Sequence, residues 1–348
     1  MFSGAGGMDL GFQRAGVDII WANDVDKNAC ETYRANIGSH IVCGSILDID
    51  YNSLPDCDLI FGGPPCQGFS VAGKMDINDP RSKLIFAFQD IVATKRPLYF
   101  VMENVAALAK LEKFAEVRKR LFDRYADLGY NTRFMVLDSS DYETPQKRER
   151  MILIGTTNPV EQIQFPPKCN HVITVREALK GLSRPGTGNN QGICKARITV
   201  AAFPVLRKSP YAGMIFNGMG RPINLDRPAQ TLPASMGGNK TPIIDDALLE
   251  DPNANDWLKE WHAFLQTGRD FDAYSIEVPP QFRRITVSEA ARLQGFPDGY
   301  IFCGSQCHKY KQIGNSVPPP FAYHVATAVL KSMAGLKVQS SKQLLLAL

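Results

Sequence analysis

Apolar positions over the first 160 residues fall into two alternating textures. Short β-rich runs at residues 17–22, 40–43, 59–61, 99–102, 132–137 and 151–154 are separated by longer stretches, 27–36, 82–95 and 113–127, in which apolar residues recur three and four positions apart. The short runs suit buried strands, and the longer ones present a single apolar face to a sheet. Their alternation predicts an α/β fold, a doubly wound and mostly parallel sheet with helices as crossovers. Beyond about residue 160 the alternation stops and Pro, Gly and Asn accumulate, notably over 184–192 and 217–240. A second, smaller domain is expected there. Helical texture returns at Thr286, where Glu289 completes a capping-box pattern, and over residues 321–333 after three prolines. The expected division is therefore residues 1–170 plus 312–340 as one domain, 171–282 as the second, and 283–311 as a hinge leading back to the first.

Composition narrows the picture only in places. A chain of 348 residues with 44% hydrophobic content can bury one large core and a smaller companion. Its 39 Lys and Arg against 35 Asp and Glu leave +4, which neither requires nor excludes a polyanionic partner, so local charge has to decide. The eight Cys form no C-x-x-C pair and lack the density of a secreted disulfide scaffold, which points to a reducing cytoplasm. Cys303, Cys307 and His308 cluster without a matching second pair, so no metal is expected. No apolar run approaches the ~18 residues of a membrane span, and the first residues carry no basic export signal. The reading is a soluble, unexported protein.

Several short motifs sit where such a sheet does its chemistry. Gly4, Gly6 and Gly7 precede a helical stretch, an arrangement that serves either as a plain turn or as a backbone cradle for a ligand. Asp24 follows the first β-rich run, the position from which an acidic side chain accepts hydrogen bonds from ribose hydroxyls, and favours the second reading with an adenosine-type ligand. Phe61-Gly-Gly-Pro-Pro-Cys-Gln-Gly-Phe-Ser70 comes immediately after another run. Its two Pro and paired Gly fix a turn with no apolar stripe around Cys66, so a packing cysteine fits poorly and an activated thiolate fits well. Glu103 ends the run 99–102 either as a solvated terminus or as an acid facing a ligand. Gln146-Lys-Arg-Glu-Arg150 offers guanidinium forks to a base or phosphate, or else forms a solvated charged turn.

Together these motifs resemble the C5-cytosine DNA methyltransferases, with ordered matches over nearly the whole chain. Phe2-Ser-Gly-Ala-Gly-Gly7 looks like that family's cofactor loop, Asp24-Val25 like its ribose and adenine contacts, and Gly63-Pro-Pro-Cys-Gln-Gly-Phe-Ser70 like its nucleophile loop. Asp79-Pro-Arg-Ser-Lys-Leu-Ile-Phe86, Glu103-Asn-Val105 and Gln146-Lys-Arg-Glu-Arg150 resemble the motifs that follow, and Arg227-Pro-Ala-Gln-Thr-Leu232, the segment 284–297 and Gln312-Ile-Gly-Asn-Ser-Val-Pro318 the later ones. The resemblance implies an S-adenosylmethionine-dependent enzyme that methylates carbon 5 of a flipped-out cytosine in a short duplex DNA sequence. It implies Cys66 as the nucleophile at C6, Glu103 at N3, and Arg148 and Arg150 as further catalytic residues, with Arg150 on O2. Cofactor contacts are expected from Phe2, Gly4, Gly6, Gly7, Asp24, Val25, Ser45, Ile46, Pro64, Asn315 and Ser316. DNA contacts are expected from Gln67, Ser70, Thr231, Arg221, Arg227 and Lys240, with Arg207 and Lys208 as further candidates, and residues 171–282 as the target-recognition domain. The resemblance further implies a monomer, of the bacterial restriction-modification or orphan type, with a cognate restriction endonuclease as a possible companion.

Two departures stand out. Gly44-Ser-Ile46 places a hydroxyl where the family usually has Asp, and Met1 falls inside the glycine motif, so that the strand expected before it must be supplied from elsewhere or lie upstream. An RNA methyltransferase of the same chemistry is the main rival, against which the long segment between Arg150 and Arg283 argues, since reading a duplex sequence needs a separate module. A catalytically silent binding protein is disfavoured by intact Cys66, Glu103, Arg148 and Arg150.

Overall fold

A β-rich run becomes a strand only where a neighbour supplies the ladder. In the computed structural model, which describes residues 1–65, 83–160 and 163–346, this selects β1 (Ala22–Asp24), β2 (Ile41–Cys43), β3 (Leu59–Gly62), β4 (Tyr99–Val105), β5 (Asn131–Asp138) and β6 (Glu149–Thr156). β1 pairs with β2 in parallel, and the other four form a sheet in the order β3-β4-β6-β5. The expectation of a mostly parallel sheet needs correction. β3 and β4 are parallel, but β6 runs antiparallel to both β4 and β5, so the sheet is mixed. The connection 139–148 is shorter than the roughly a dozen residues that a parallel crossover takes, which leaves β5 and β6 to pair head to tail.

The run 17–22 contributes only Ala22 to a strand. The rest of it borders a cavity of about 390 Å³, lined also by residues 54–61, and pairs with no strand among the described residues. The first residues span this region instead: the Met1 amino group donates to the Phe61 carbonyl at 2.8 Å and the Ser3 N–H to the Asn23 carbonyl at 2.9 Å.

Helices cover both faces of the four-stranded sheet, as double winding requires. On one side α3 (Lys83–Lys95) and α5 (Ala115–Asp127), flanking the short α4 (Ala106–Lys110), lay Phe88, Ile91, Leu121 and Tyr125 against Phe100, Met102, Met151 and Leu153. On the other, α1 (Gly7–Arg14) and the C-terminal helix Pro319–Leu346 bring Met8, Phe12, Phe321 and Val325 onto Tyr99, Val101, Ile152 and Ile154. Alternate residues of β4 and β6 thus feed the two cores. Tyr33, on α2 (Lys27–Asn36), packs with Ala22, Cys30 and Ile41 in a smaller cluster around β1 and β2.

Gly155 shows how tight this packing is. It lies directly across the ladder from Phe100, whose ring stacks on Tyr125 at 4.2 Å between centroids. A Cβ at position 155 would sit 2.0 Å from that ring. Gly155→Ala is therefore expected to destabilise the fold by about 1–3 kcal/mol through overpacking. Urea denaturation would check this, and an unchanged midpoint would show that the ring can move aside.

These elements belong to a unit made of residues 1–142, 149–170 and 317–348. The second unit comprises residues 143–148 and 171–316. Its boundaries differ from those read in the sequence, because the segment expected as a hinge, 283–311, lies within it, as does the strip 143–148. It holds two antiparallel pairs, β7 (Val200–Val205) with β8 (Met214–Phe216) and β9 (Ile243–Asp245) with β10 (Phe282–Arg284). Five helices accompany them: α6 (Val175–Leu179), α7 (Asp246–Glu250), α8 (Trp257–Gln266), α9 (Val287–Leu293) and α10 (Gln306–Asn315). Phe216, Leu258, Trp261, Leu265 and Phe282 form its core.

Two adjacent arginines, Arg283 half-buried and Arg284 buried, organise the second unit. Arg283 binds Glu289 through both terminal nitrogens at 2.7 Å each, while its Nε donates to Asp246 at 2.7 Å. Glu289 also accepts from the Thr286 N–H at 2.8 Å, completing the capping box expected from the sequence. Arg284, 2% exposed, has no carboxylate and instead donates to the carbonyls of Ala196, Asn239 and Thr241 and to the Asn217 side-chain oxygen. No helix among the described residues is long and apolar enough to cross a membrane.

Candidate active site

The glycine motif closes over the carboxyl ends of β1 and β2. Phe2 and Gly4 both adopt φ of +53° and Gly6 +82°, a left-handed path on which only Phe2 bears a side chain. Gly6 caps α1 without a side-chain hydrogen bond, which leaves the positive end of the helix to be met by something else. Beneath the loop, the buried Asp9 carboxylate accepts hydrogen bonds from the hydroxyls of Ser3 at 3.2 Å and Tyr33 at 3.0 Å. Asp24 receives the Gly4 N–H at 2.7 Å on one oxygen and the Asp26 N–H at 2.9 Å on the other. Burial pushes its carboxyl above the usual range, and these two N–H groups offset part of that shift.

Asn23 draws in the next strand end, donating to the carbonyls of Val42 and Gly44 at 3.1 and 2.9 Å. A Cβ built at Gly4 or Gly44 would meet nothing within 4 Å, so both positions face open space. Val25 stands 71% exposed beside Asp24. An acceptor next to an unpartnered apolar side chain above two strand ends fits a ribose with its attached base. Ser45 takes a more local part than its place in the motif suggests, since its hydroxyl accepts from the Leu47 N–H at 3.2 Å and caps a short 3₁₀ turn. Ile46 is buried in the sheet core.

A second cluster forms at the ends of β3, β4 and β6. β4 runs through Glu103, Asn104 and Val105, three residues beyond its expected end, because β6 continues opposite it as far as Arg150. Glu103 faces Ile152 across the ladder, so Arg150, two residues along β6, is its diagonal neighbour on the same face. That register explains the ion pair between Arg150 Nε and Glu103 Oε1 at 2.8 Å. Glu103 is buried and lies so close to Gly63 that a Cβ there would be 2.9 Å from its carboxylate. Asn104, given no role of its own in the sequence reading, donates to the Pro64 carbonyl at 3.1 Å while its oxygen accepts from the Val105 N–H at 2.9 Å. The signal that could have found it is its place between Glu103 and the loop strand. Glu103 and Asn104 thus set the path of the chain three residues before Cys66. Cys66, Gln67 and Ser70 themselves lie outside the described residues.

The remaining candidates belong to the second unit. Arg148 is buried and donates to the Asn315 carbonyl at 3.4 Å. Ser316 donates to the Gln312 carbonyl at 2.7 Å and accepts from the Gln294 amide on its own carbonyl at 2.5 Å. Thr231 donates its hydroxyl to the Lys147 carbonyl at 2.8 Å, and Leu232 N–H meets the Gln146 side chain at 3.1 Å. With Lys147 N–H on the Ala229 carbonyl, these bonds stitch the strip 146–148 to 229–232. Arg221 donates to Gln230 at 3.1 Å, and Arg227, Lys240, Arg207 and Lys208 are exposed.

The model of the C-5 cytosine-specific DNA methylase family matches residues 1–331. The Type II methyltransferase M.MthTI of Methanothermobacter thermautotrophicus is 33% identical over 341 residues, covering 96% of this chain and 97% of the relative. M1.HphI of Haemophilus parahaemolyticus is 33% identical over 346 residues, covering 95% and 86% respectively. Among solved structures, the Schizosaccharomyces pombe Dnmt2 methyltransferase superposes with a TM-score of 0.63 at 19% identity, covering 95% of this chain and 97% of that one. The Entamoeba histolytica methyltransferase EhMeth does so with a TM-score of 0.65 at 17% identity, covering 96% and 97%. These two establish likeness of fold, and the sequence matches carry the rest: this chain belongs to the C-5 cytosine-specific DNA methylase family.

Proposed function

We propose that the protein transfers a methyl group from S-adenosylmethionine to carbon 5 of a flipped-out cytosine within a short duplex DNA sequence, through a covalent adduct of Cys66. The observation that carries the reading is the Glu103–Arg150 pair, held at 2.8 Å against Gly63 on the strand ends that lead into the Cys66 loop.

When bound, S-adenosylmethionine supplies an electrophilic methyl group. Asp24 would accept hydrogen bonds from its ribose, Val25 would offer an apolar contact to its adenine, and residues 2–7 with Pro64 would hold the remainder. Cytosine C5 is too weak a nucleophile unaided, so the Cys66 thiolate adds to C6 and the electron pair of the C5–C6 double bond shifts toward C5. Glu103, carrying a proton on its carboxyl group, donates it to N3, where negative charge develops during that addition, and Arg150 holds O2. After C5 takes the methyl group, loss of its proton expels Cys66 and restores the ring. C6 is inaccessible in a stacked duplex, so the base has to leave the helix first, with Gln67 and Ser70 beside the opened step. The second unit supplies DNA contacts through Thr231, Arg221, Arg227 and Lys240. Relatives named as Type II methyltransferases support a place in a restriction-modification system, acting as a cytoplasmic monomer alongside a cognate endonuclease.

The test is Glu103→Gln, assayed with labelled cofactor on a mixed-sequence duplex whose methylated cytosines are then mapped. Turnover is expected to fall by about 10²–10³-fold, with cofactor and duplex affinity within a few-fold of wild type. A loss confined to cofactor affinity would move Glu103 out of the reaction and into the cofactor pocket.

A further inference from the structure

The modest net charge of +4 conceals a strong polarity within the second unit. Residues 178–244 contain nine Lys and Arg and a single carboxylate, Asp226, whereas residues 245–277 contain nine carboxylates and two Lys and Arg. All nine cations of the first stretch are exposed. None of them enters an ion pair among the described residues, and Asp226 is already held by Arg176 at 2.8 Å. Exposed and unneutralised cations on one stretch of chain are what a phosphate backbone binds.

In the middle of this stretch stands an apolar anomaly. Phe203 is 93% exposed, on a strand where Val200 is buried and Val205 is only 39% exposed. The cause is local geometry. β7 pairs with β8 at Val200↔Phe216 and again at Val205↔Met214, so residues 201–204 face the single residue Ile215 and must bulge away from the ladder. Phe203 and Pro204 occupy the bulge, and the exposed Arg207 and Lys208 follow within five residues. A phenylalanine wholly in water contributes nothing to the fold and leaves its ring available to a partner. A bulge that exposes an aromatic ring a few residues before Arg207 and Lys208, on a cation-rich stretch of chain, matches the wedges and stacking platforms with which proteins engage nucleic-acid bases.

We propose that Phe203 is the side chain with which the second unit stacks against a base of duplex DNA, while the cations around it hold the phosphates. The inference rests on the reading of the chain as a DNA methyltransferase and adds to it a positioning residue for the DNA. It also predicts what the acidic stretch does not do. Tyr274, 96% exposed but set among Asp270, Asp272 and Glu277, has the same kind of ring in surroundings that repel phosphate.

Three variants of the full chain test the proposal: Phe203→Ala, Phe203→Trp and Tyr274→Ala. Phe203→Ala is expected to raise KM and Kd for a methylatable duplex at least about tenfold, with an unchanged melting temperature and an unchanged slope of affinity against salt, since no charge is removed. Phe203→Trp should retain binding, and its added emission over the three native Trp should be quenched by the duplex. Tyr274→Ala should match wild type. A Phe203→Ala protein with wild-type KM and Kd, or a Phe203→Trp protein whose added emission is blind to bound duplex, would overturn the role of Phe203 while leaving the methyltransferase reading in place. A wild-type chain that methylates no duplex DNA would overturn that reading itself, and tighter quenching by duplex RNA than by DNA would reassign the partner.

Discussion

Replacing Cys66 by Ala is expected to reduce methyl transfer by at least about 10³-fold while duplex and cofactor affinity stay close to wild type. The reason is that a covalent nucleophile participates only once the ring is attacked, whereas its loss removes a single thiol from surfaces that bind by many contacts. Residues 63 and 64, which lead up to position 66, are held by Asn104 on the Pro64 carbonyl and by Glu103 against Gly63, and the substitution touches neither contact. A complementary measurement uses a duplex carrying 5-fluorocytosine. Fluorine cannot leave C5 as a cation in place of the proton, so the bond between Cys66 Sγ and C6 should persist after methyl transfer and survive denaturation. An adduct mapped to any other cysteine, or near-normal turnover by Cys66→Ala, would remove Cys66 from the mechanism.

The largest expected effect on stability comes from Glu289→Ala. This carboxylate is 1% exposed and serves Arg283, the Thr286 N–H and the Asn190 amide, the last at 3.1 Å. Its removal leaves the half-buried Arg283 with only Asp246 as counter-charge and takes away the half of the α9 capping box that serves the Thr286 N–H, so unfolding of the second unit should become easier by about 2–4 kcal/mol. Chemical denaturation followed by the emission of Trp257 and Trp261, both in that unit, would read it. Glu289→Gln keeps an oxygen for the cap and should cost less. Adding Arg283→Met to Glu289→Ala should recover part of the loss, because the stranded charge is then gone. A Glu289→Ala loss below about 1 kcal/mol would mean that Asp246 alone suffices for Arg283.

What could be read from the sequence followed from local pattern. The capping box at Thr286 and Glu289, the strands that became β2 to β6, and the helices at 27–36 and 115–127 are written in spacing over a few residues. What could not be read depended on a neighbour distant in the chain. Residues 17–21 have the composition of a strand but pair with nothing among the described residues, and the extension of β4 through Glu103 depends on how far β6 runs. α8 is a different case. Trp257, Leu258, Trp261 and Leu265 carry its pattern plainly, yet it lies within the half of the chain whose loops read as irregular. For the candidate site, the motif matches located Asp24, Glu103 and Arg150. The Glu103–Arg150 pair follows from ladder register, and the role of Asn104 from a contact forty residues away in sequence.

Arg284 has a bearing on how such a protein can diversify. Three of the four groups that hold it are main-chain carbonyls, at Ala196, Asn239 and Thr241. A peptide carbonyl is common to every amino acid, so this mooring is indifferent to which side chains the tethered loops display. Those loops belong to the cationic stretch that carries Phe203, and they can exchange outward-facing residues, and with them whatever the loops discriminate, without loosening the internal knot that fixes their course.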